Sequence, residues 1–305
     1  MPTPAPFSSF GFDEEDFPPK NYADYPSGFC NLNNENLFPI SKFPVLRKDS
    51  PAARSAYASI RPALVLVSRI IFERWDVYKV FIRRCREGGA DELGLSKEEV
   101  VGRIRGALPD IDFDSGMRSN SNLFASALLC PEARTDQIIL DYSLVRLLKS
   151  TTASHGQKLA GLLYLAILVG HEIAHILEFR NIRGGQLRLD GQESDTPSGI
   201  TCGEAGIGWE TRVFGGAIYP VCAPYNCLLN IRGLCIKSHS RKHDVMKLDD
   251  GFIRQLFTEE YWNCQNSQRL LRPPISKYAQ YAVLQDELMD EEITTPAKSR
   301  ECERL

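Results

Sequence analysis

The stretch Leu165–Phe179, LAILVGHEIAHILEF, decides the fold, because it is an apolar run with three polar side chains near its centre. An apolar run of this length predicts a buried helix, in which residues four positions apart lie on one face. His171 and His175 can therefore bind one metal ion together, and Glu172 stands beside the first histidine. Bound zinc lowers the pKa of a water molecule, and a glutamate at this position can accept the proton. The pattern predicts a catalytic HExxH helix.

A core helix without metal is the alternative interpretation of the same stretch. His171 and His175 would then be core histidines paired with backbone or carboxylate groups, with Glu172 on a wetter flank of the helix. Three buried polar groups without a metal would each need a hydrogen-bond partner. The chain has only five histidines, so a chance HExxH is expected on the order of once in a few hundred such sequences. These two arguments favour the metal site.

With this motif the chain resembles the zincin superfamily of zinc metallopeptidases, and the recognisable core runs from Gln137 to Phe214. The resemblance implies an α+β fold, with a mainly helical zincin-like metallopeptidase core and a small mixed sheet over the HExxH helix. It implies that the strand Gln137–Leu140 is the edge strand above the cleft. It also implies Zn²⁺ as the cofactor, held by His171, His175 and a third protein ligand.

The third ligand is expected after the motif helix, in CGEAGIGWETRVFGG. The metzincin pattern HExxHxxGxxH is excluded, because Glu178 and Asn181 stand where it needs glycine and histidine. Gluzincins take a glutamate from a following helix, and GEAG resembles the segment that carries this ligand in their aminopeptidase members. The resemblance therefore favours Glu204, with Glu210 as the alternative. The remaining candidates are Cys202, Glu178, Asp190 and Glu193.

Glu204 and Glu210 are six positions apart, about 600° around a helix, so only one of them is expected to bind the metal directly. Thermolysin-like enzymes have an aspartate four residues after the ligand glutamate, but this chain has Gly208 there. A carboxylate that orients a metal-binding histidine must come from elsewhere, and Glu210 and Asp141 are the candidates. The candidates for the donor to the developing oxyanion are Tyr219, His239, His243 and Tyr261.

The chain divides into an extended or disordered segment at 1–48, a zincin-like catalytic domain at 49–289 and a disordered tail at 290–305. Ser50 and Pro51 predict the start of a long helix that reaches Cys85, with Pro62 as a possible kink or break. Further helices are predicted after the Ser96–Glu99 capping box and over 156–179, 202–214, 250–262 and 276–289. Thr201 is a possible cap of the helix over 202–214, and Gly215–Gly216 would end it. Short β-like runs are predicted at 217–222 and 227–236.

Composition limits the partners and the location. The formal net charge is −3 and the pI is near 6.0, so no overall field favours nucleic acid or an anionic membrane. The start of the chain does not have a secretory signal, and the longest apolar run, Leu159–Val169, is shorter than the ~20 residues that span a bilayer. Nine cysteines without a CxxC pair are expected to be free thiols. We expect an intracellular, cytoplasmic protein.

These features together predict an intracellular zinc metallopeptidase that cleaves peptide or protein substrates through a zinc-activated water. Glu172 is the expected catalytic base, because a purely structural site is closed by four ligands and needs no adjacent base. The main alternative is a non-catalytic zincin-fold scaffold or regulatory module. A metal-dependent hydrolase of another substrate is also open, because fold and metal do not fix the bond that is cut. The segment before residue 49 is considered as a latent inhibitor of the cleft.

Overall fold

The computed structural model describes residues 30–46, 50–82, 94–114, 124–128, 136–183, 204–222, 228–237, 245–264 and 271. Within these ranges the fold is α+β, as predicted. The helices are α1 (Pro51–Glu73), α2 (Trp75–Ile82), α3 (Lys97–Gly106), α4 (Ser143–Lys149), α5 (His155–Arg183), α6 (Ala205–Phe214), α7 (Asp250–Gln255) and α8 (Glu259–Cys264). The strands are β1 (Asp110–Asp114), β2 (Ala125–Leu128), β3 (Gln137–Asp141), β4 (Ala217–Cys222), β5 (Ile231–Lys237) and β6 (Val245–Lys247).

Several helix ends follow the signals in the sequence. The Ser50 side chain accepts from the Ala53 N–H at the start of α1, and Ser96 and Glu99 form the predicted capping box of α3. Gly215 ends α6 in the left-handed conformation with φ 92°, which glycine adopts without strain. These predictions are confirmed.

The break after the first helix lies elsewhere than predicted. Helix α1 continues through Pro62 and stops at Glu73, and α2 begins at Trp75. Between them Arg74 leaves the helical conformation, and its Nε lies 3.3 Å from Asp76 Oδ1. Of the two possibilities at Pro62, a kink or a break, the break is therefore wrong. The predicted helix over 250–262 is likewise two short helices, α7 and α8, and residues 276–289 lie outside the described ranges.

The first sheet is mixed and has the order β1-β3-β2. Strand β3 pairs in parallel with β1 and antiparallel with β2, so it is the central strand. The expectation that Gln137–Leu140 forms the edge above the cleft is wrong, and β2 occupies that edge. The sequence did not predict β2, because ASAL is too short and too weakly alternating to stand out. The second sheet, β4-β5-β6, is antiparallel. It is additional to the single small sheet that was expected.

Helix α5 lies at the centre of the core and packs against α1, α2, α4, α6 and both sheets. Every residue from Leu159 to Val169 is buried. By length and apolar composition, α1 and the 155–180 part of α5 would be long enough to cross a membrane. However, 61% and 89% of their most apolar windows are buried inside this fold.

The end of the N-terminal segment, residues 30–46, packs on this core. Phe38 and Phe43 are fully buried, and the Phe43 ring lies 5.6 Å from Tyr57 and 6.1 Å from Phe113. The Leu37 N–H donates to Ser68 Oγ at 3.0 Å. These residues belong to the folded body, and they do not line the cleft described below. Residues 1–29 and the tail 290–305 lie outside the described ranges.

Candidate metal centre

The two histidines of the motif lie side by side on α5, and both are partly buried. The helix begins with a capping box, in which the Ser154 N–H donates to Gln157 and the Gln157 N–H donates to Ser154. One helical turn separates His171 from His175, and their Nε2 atoms lie 3.3 Å apart. Both nitrogens face a cleft rather than the core. The structure therefore brings the histidines together as the spacing predicts.

Glu204 joins the histidines from the start of α6. Its Oε1 contacts His175 Nε2 and lies 3.1 Å from His171 Nε2, while its Oε2 accepts from the Ile207 N–H. Helix α6 begins at Ala205, so the predicted start near residue 202 is wrong and Glu204 is the N-cap. The predicted cap, Thr201, lies outside the described ranges. One carboxylate thus caps a helix and completes the cluster.

The three facing atoms suit a small tetrahedral metal ion. His171 Nε2, His175 Nε2 and a Glu204 oxygen lie within 4.8 Å of one another. Zinc–nitrogen bonds of about 2.0–2.1 Å at tetrahedral angles set neighbouring ligand atoms about 3.3 Å apart. The separations of 3.3 Å and 3.1 Å from His171 Nε2 are close to this value, whereas His175 Nε2 and Glu204 Oε1 lie closer together than two zinc ligands would. A catalytic zinc site can have two imidazoles and one carboxylate as its protein donors, with one open position. Here the open position would face the cleft.

Glu210 contacts the opposite side of the His171 ring. Its Oε1 lies 2.6 Å from His171 Nδ1, and its Oε2 accepts from the Ile218 N–H at 2.6 Å. Glu210 is therefore placed to orient the ring rather than to act as the alternative third ligand. A carboxylate on Nδ1 keeps the proton there and leaves Nε2 free for a metal. The other candidate for this role, Asp141, instead accepts from the Ser143 N–H at the start of α4.

The charges around His171 favour a positive charge in the cluster. Burial opposes protonation of the imidazole, but hydrogen bonds and charge interactions with Glu204 and Glu210 outweigh it and raise the pKa of His171 to about 10. Burial also opposes ionisation of Glu204, but His171 and His175 hold the pKa of that carboxyl far below its usual range. The cluster therefore suits either a protonated imidazole or a metal cation.

Glu172 lines the same cleft next to the histidines, and only 6% of its surface is exposed. The cleft has a volume of about 490 Å³. Strands β2 and β4 form two of its walls, and β2 is not predicted from the sequence. The other lining residues are mostly apolar or aromatic, and the large ones among them are Phe124, Tyr164, Leu168, Ile207, Ile218 and Tyr219.

The candidate oxyanion donors are distributed differently. Tyr219 lines the cleft, whereas Tyr261 packs edge-on against Phe252 and Trp262 and does not line it. His239 and His243 lie outside the described ranges. Tyr164 also lines the cleft, although the sequence analysis did not consider it. Its position seven residues before His171, two turns along the same helix face, was the signal that could have identified it.

The remaining third-ligand candidates do not join the cluster in the part of the chain that the structure describes. Glu178 is buried on α5 and does not line the cleft. Cys202, Asp190 and Glu193 lie outside the described ranges. Among the described residues, His171, His175 and Glu204 are the group that could hold a metal ion.

No protein family, curated protein or solved structure matches the chain. The resemblance to the zincins therefore rests on the HExxH motif together with the three converging side chains.

Proposed function

We propose that this protein is a zinc-dependent hydrolase of zincin type, and most specifically a metallopeptidase. The observation that carries the proposal is the convergence of His171 Nε2, His175 Nε2 and Glu204 Oε1 at one point that faces the cleft. These three side chains would hold Zn²⁺. When bound, zinc would polarise a water molecule and a substrate carbonyl.

The surrounding residues have distinct parts in such a reaction. Glu172, adjacent to the first histidine and on the cleft wall, would accept the proton of the attacking water and return it to the leaving amine. Glu210 holds His171 with its Nε2 toward the cluster through the 2.6 Å contact to Nδ1. The apolar lining would exclude water from the reacting bond and so strengthen electrostatic interactions within the site.

The cleft wall supports a peptide as the substrate. Strand β2 pairs with β3 on one side and has no second partner among the described strands. An extended peptide can add to such an edge through backbone hydrogen bonds. Ala125, Ser126 and Ala127 of this strand line the cleft, so a peptide on the edge would pass the metal-binding side chains.

Glu172→Gln tests the proposal, because it removes the base without removing a metal ligand. We expect about one zinc per chain in both wild type and variant, and a loss of about 10²- to 10⁴-fold in kcat for hydrolysis of dye-labelled casein or a mixture of internally quenched peptides. Glu178→Gln is the matched control, because Glu178 is a second buried glutamate of α5 that does not line the cleft. It should retain activity.

A wild type without stoichiometric zinc would refute the metal site. Zinc binding with equal activity in wild type and Glu172→Gln would refute the catalytic role of Glu172. Zinc binding with no hydrolysis of any peptide probe would instead favour the non-catalytic scaffold.

A further inference from the structure

Gly206 lies where the backbone of α6 approaches the face of the His171 imidazole ring near Nε2. A Cβ atom at this position would lie 2.2 Å from both Cδ2 and Nε2 of the imidazole and 2.3 Å from Cε1. Nonbonded carbon atoms normally stay at about 3.5–4.0 Å. The position therefore needs glycine because of space, and any side chain would overlap the ring.

The ring cannot move aside without losing its other contacts. Its Nδ1 lies 2.6 Å from Glu210 Oε1, and its Nε2 lies 3.1 Å from Glu204 Oε1. A shift of more than an ångström, which the overlap requires, would break one of these contacts. His171 is therefore held between two carboxylates and the bare backbone of α6.

We propose that Gly206 is a positioning residue of the metal centre. Because Gly206 has no side chain, the His171 imidazole packs directly against the backbone of α6. This contact fixes the position of the ring. Glu204 stands two residues earlier on the same backbone, so the glycine also sets the separation between His171 Nε2 and the carboxylate. This inference rests on the proposed metal site and deepens it.

Gly170 provides a matched control at the same helix contact. A Cβ atom there would lie 2.3 Å from Trp209 Cη2 and 2.4 Å from Cζ2. Both glycines allow α5 and α6 to approach closely, but Gly170 faces the Trp209 indole rather than a metal-binding side chain. Gly170→Ala should disturb helix packing without displacing His171 by direct overlap.

A double-mutant cycle on the full, metal-free chain tests the contact itself. Gly206→Ala should lower Tm by at least a few degrees when His171 is present. It should have little or no effect in the His171→Ala background, because removal of the imidazole leaves room for the new methyl group. An equal fall in both backgrounds would overturn the inference.

The cycle remains decisive if Gly206→Ala alone does not fold. A double variant that folds would then support the inference, and a double variant that also fails to fold would refute it.

Metal binding tests the positioning role separately. We expect Gly206→Ala to bind Zn²⁺ about 10- to 100-fold more weakly, the usual effect of losing support around a metal ligand, and to change the visible spectrum of bound Co²⁺. Gly170→Ala should also lower Tm, but it should weaken Zn²⁺ binding and change the Co²⁺ spectrum less than Gly206→Ala does, because its methyl group overlaps the Trp209 indole and not a metal-binding side chain.

The outcomes separate this inference from the proposed function. A wild type that takes up neither ion would refute the metal site and the positioning role with it. A wild type that binds both ions, with a Gly206→Ala variant of the same affinity and spectrum, would refute only the role of Gly206.

Discussion

Replacing Glu210 by glutamine tests how the second carboxylate supports the metal centre. The Glu210 side chain is buried, and its two oxygens accept from two different groups, His171 Nδ1 and the Ile218 N–H, each at 2.6 Å. Glutamine has nearly the same shape but offers one oxygen and one NH₂ group. It can therefore satisfy only one of these two partners.

Both orientations of the new amide disturb the site. If the amide oxygen faces His171, the NH₂ group faces the Ile218 N–H, and two donors meet in a buried place. If the NH₂ group faces His171, Nδ1 must accept, which moves the imidazole proton to Nε2 and blocks the metal-facing nitrogen. Either arrangement should weaken zinc binding about 10- to 100-fold, which corresponds to about 1.4–2.8 kcal/mol.

The assay is the zinc dissociation constant, measured by competition with a chromophoric chelator at neutral pH. Asp136→Asn is a matched control, because Asp136 is a buried carboxylate that pairs with Arg180 at 2.5 Å and does not line the cleft. It should lower stability but leave the zinc affinity unchanged. A zinc affinity of Glu210→Gln within about twofold of wild type would refute the role assigned to this carboxylate.

Three further predictions concern the cap, the pH dependence and the core. Glu204→Gln keeps an oxygen that can accept from the Ile207 N–H but loses the charge that faces His171 and His175, so it should lose zinc affinity and some stability of the metal-free protein. Glu204→Ala should cost about 1 kcal/mol more stability than Glu204→Gln, because it also loses the cap. Calorimetric zinc titration and thermal melts of both variants check this, and equal melts would contradict it. In the metal-free protein the raised pKa of His171 adds stability that is complete below the ordinary pKa of 6.5 and is lost as pH rises toward 10. The lowered pKa of Glu204 adds stability that is complete above the ordinary pKa of 4.5 and is lost as pH falls below it. Tm of the metal-free protein should therefore be highest between about pH 4.5 and 6.5. The zinc-bound protein should instead lose its ion as pH falls through this range, because protons compete with the metal for the ligands. A metal-free Tm that keeps rising to pH 8 would argue against this charge balance. Phe38→Ala should lower the free energy of unfolding by about 3–5 kcal/mol in urea titrations without changing the zinc stoichiometry, because its ring is fully buried away from the cleft.

The packing of residues 30–46 also changes how a latent inhibitor should be tested. Deletion of residues 1–48 would remove Phe38 and Phe43 from the core, so a loss of activity would report unfolding rather than release from inhibition. Deletion of residues 1–29 avoids this problem. Higher activity in that variant would support inhibition by the segment, and unchanged activity would exclude it.

The sequence by itself determined the features that depend on neighbouring residues. The four-residue spacing of His171 and His175 fixes their common face, because every α-helix has the same pitch. The caps at Ser50 and Ser96 start α1 and α3, and Gly215 ends α6, through contacts within one turn of the chain. Such features are local, and the structure reproduces them.

The tertiary structure decided the parts of the site that are separated along the chain. The sequence favoured Glu204 by resemblance, but only the packing of α6 against α5 shows that Glu204 faces Nε2 of His171 and Glu210 faces Nδ1. The same packing shows why residue 206 has no side chain, since the space is occupied by a ring from another helix. Likewise, β2 rather than Gln137–Leu140 forms the edge at the cleft, because strand order depends on pairing partners and not on strand composition. Local rules specify a helix and its faces, whereas the approach of two elements is set by the shape of the whole core.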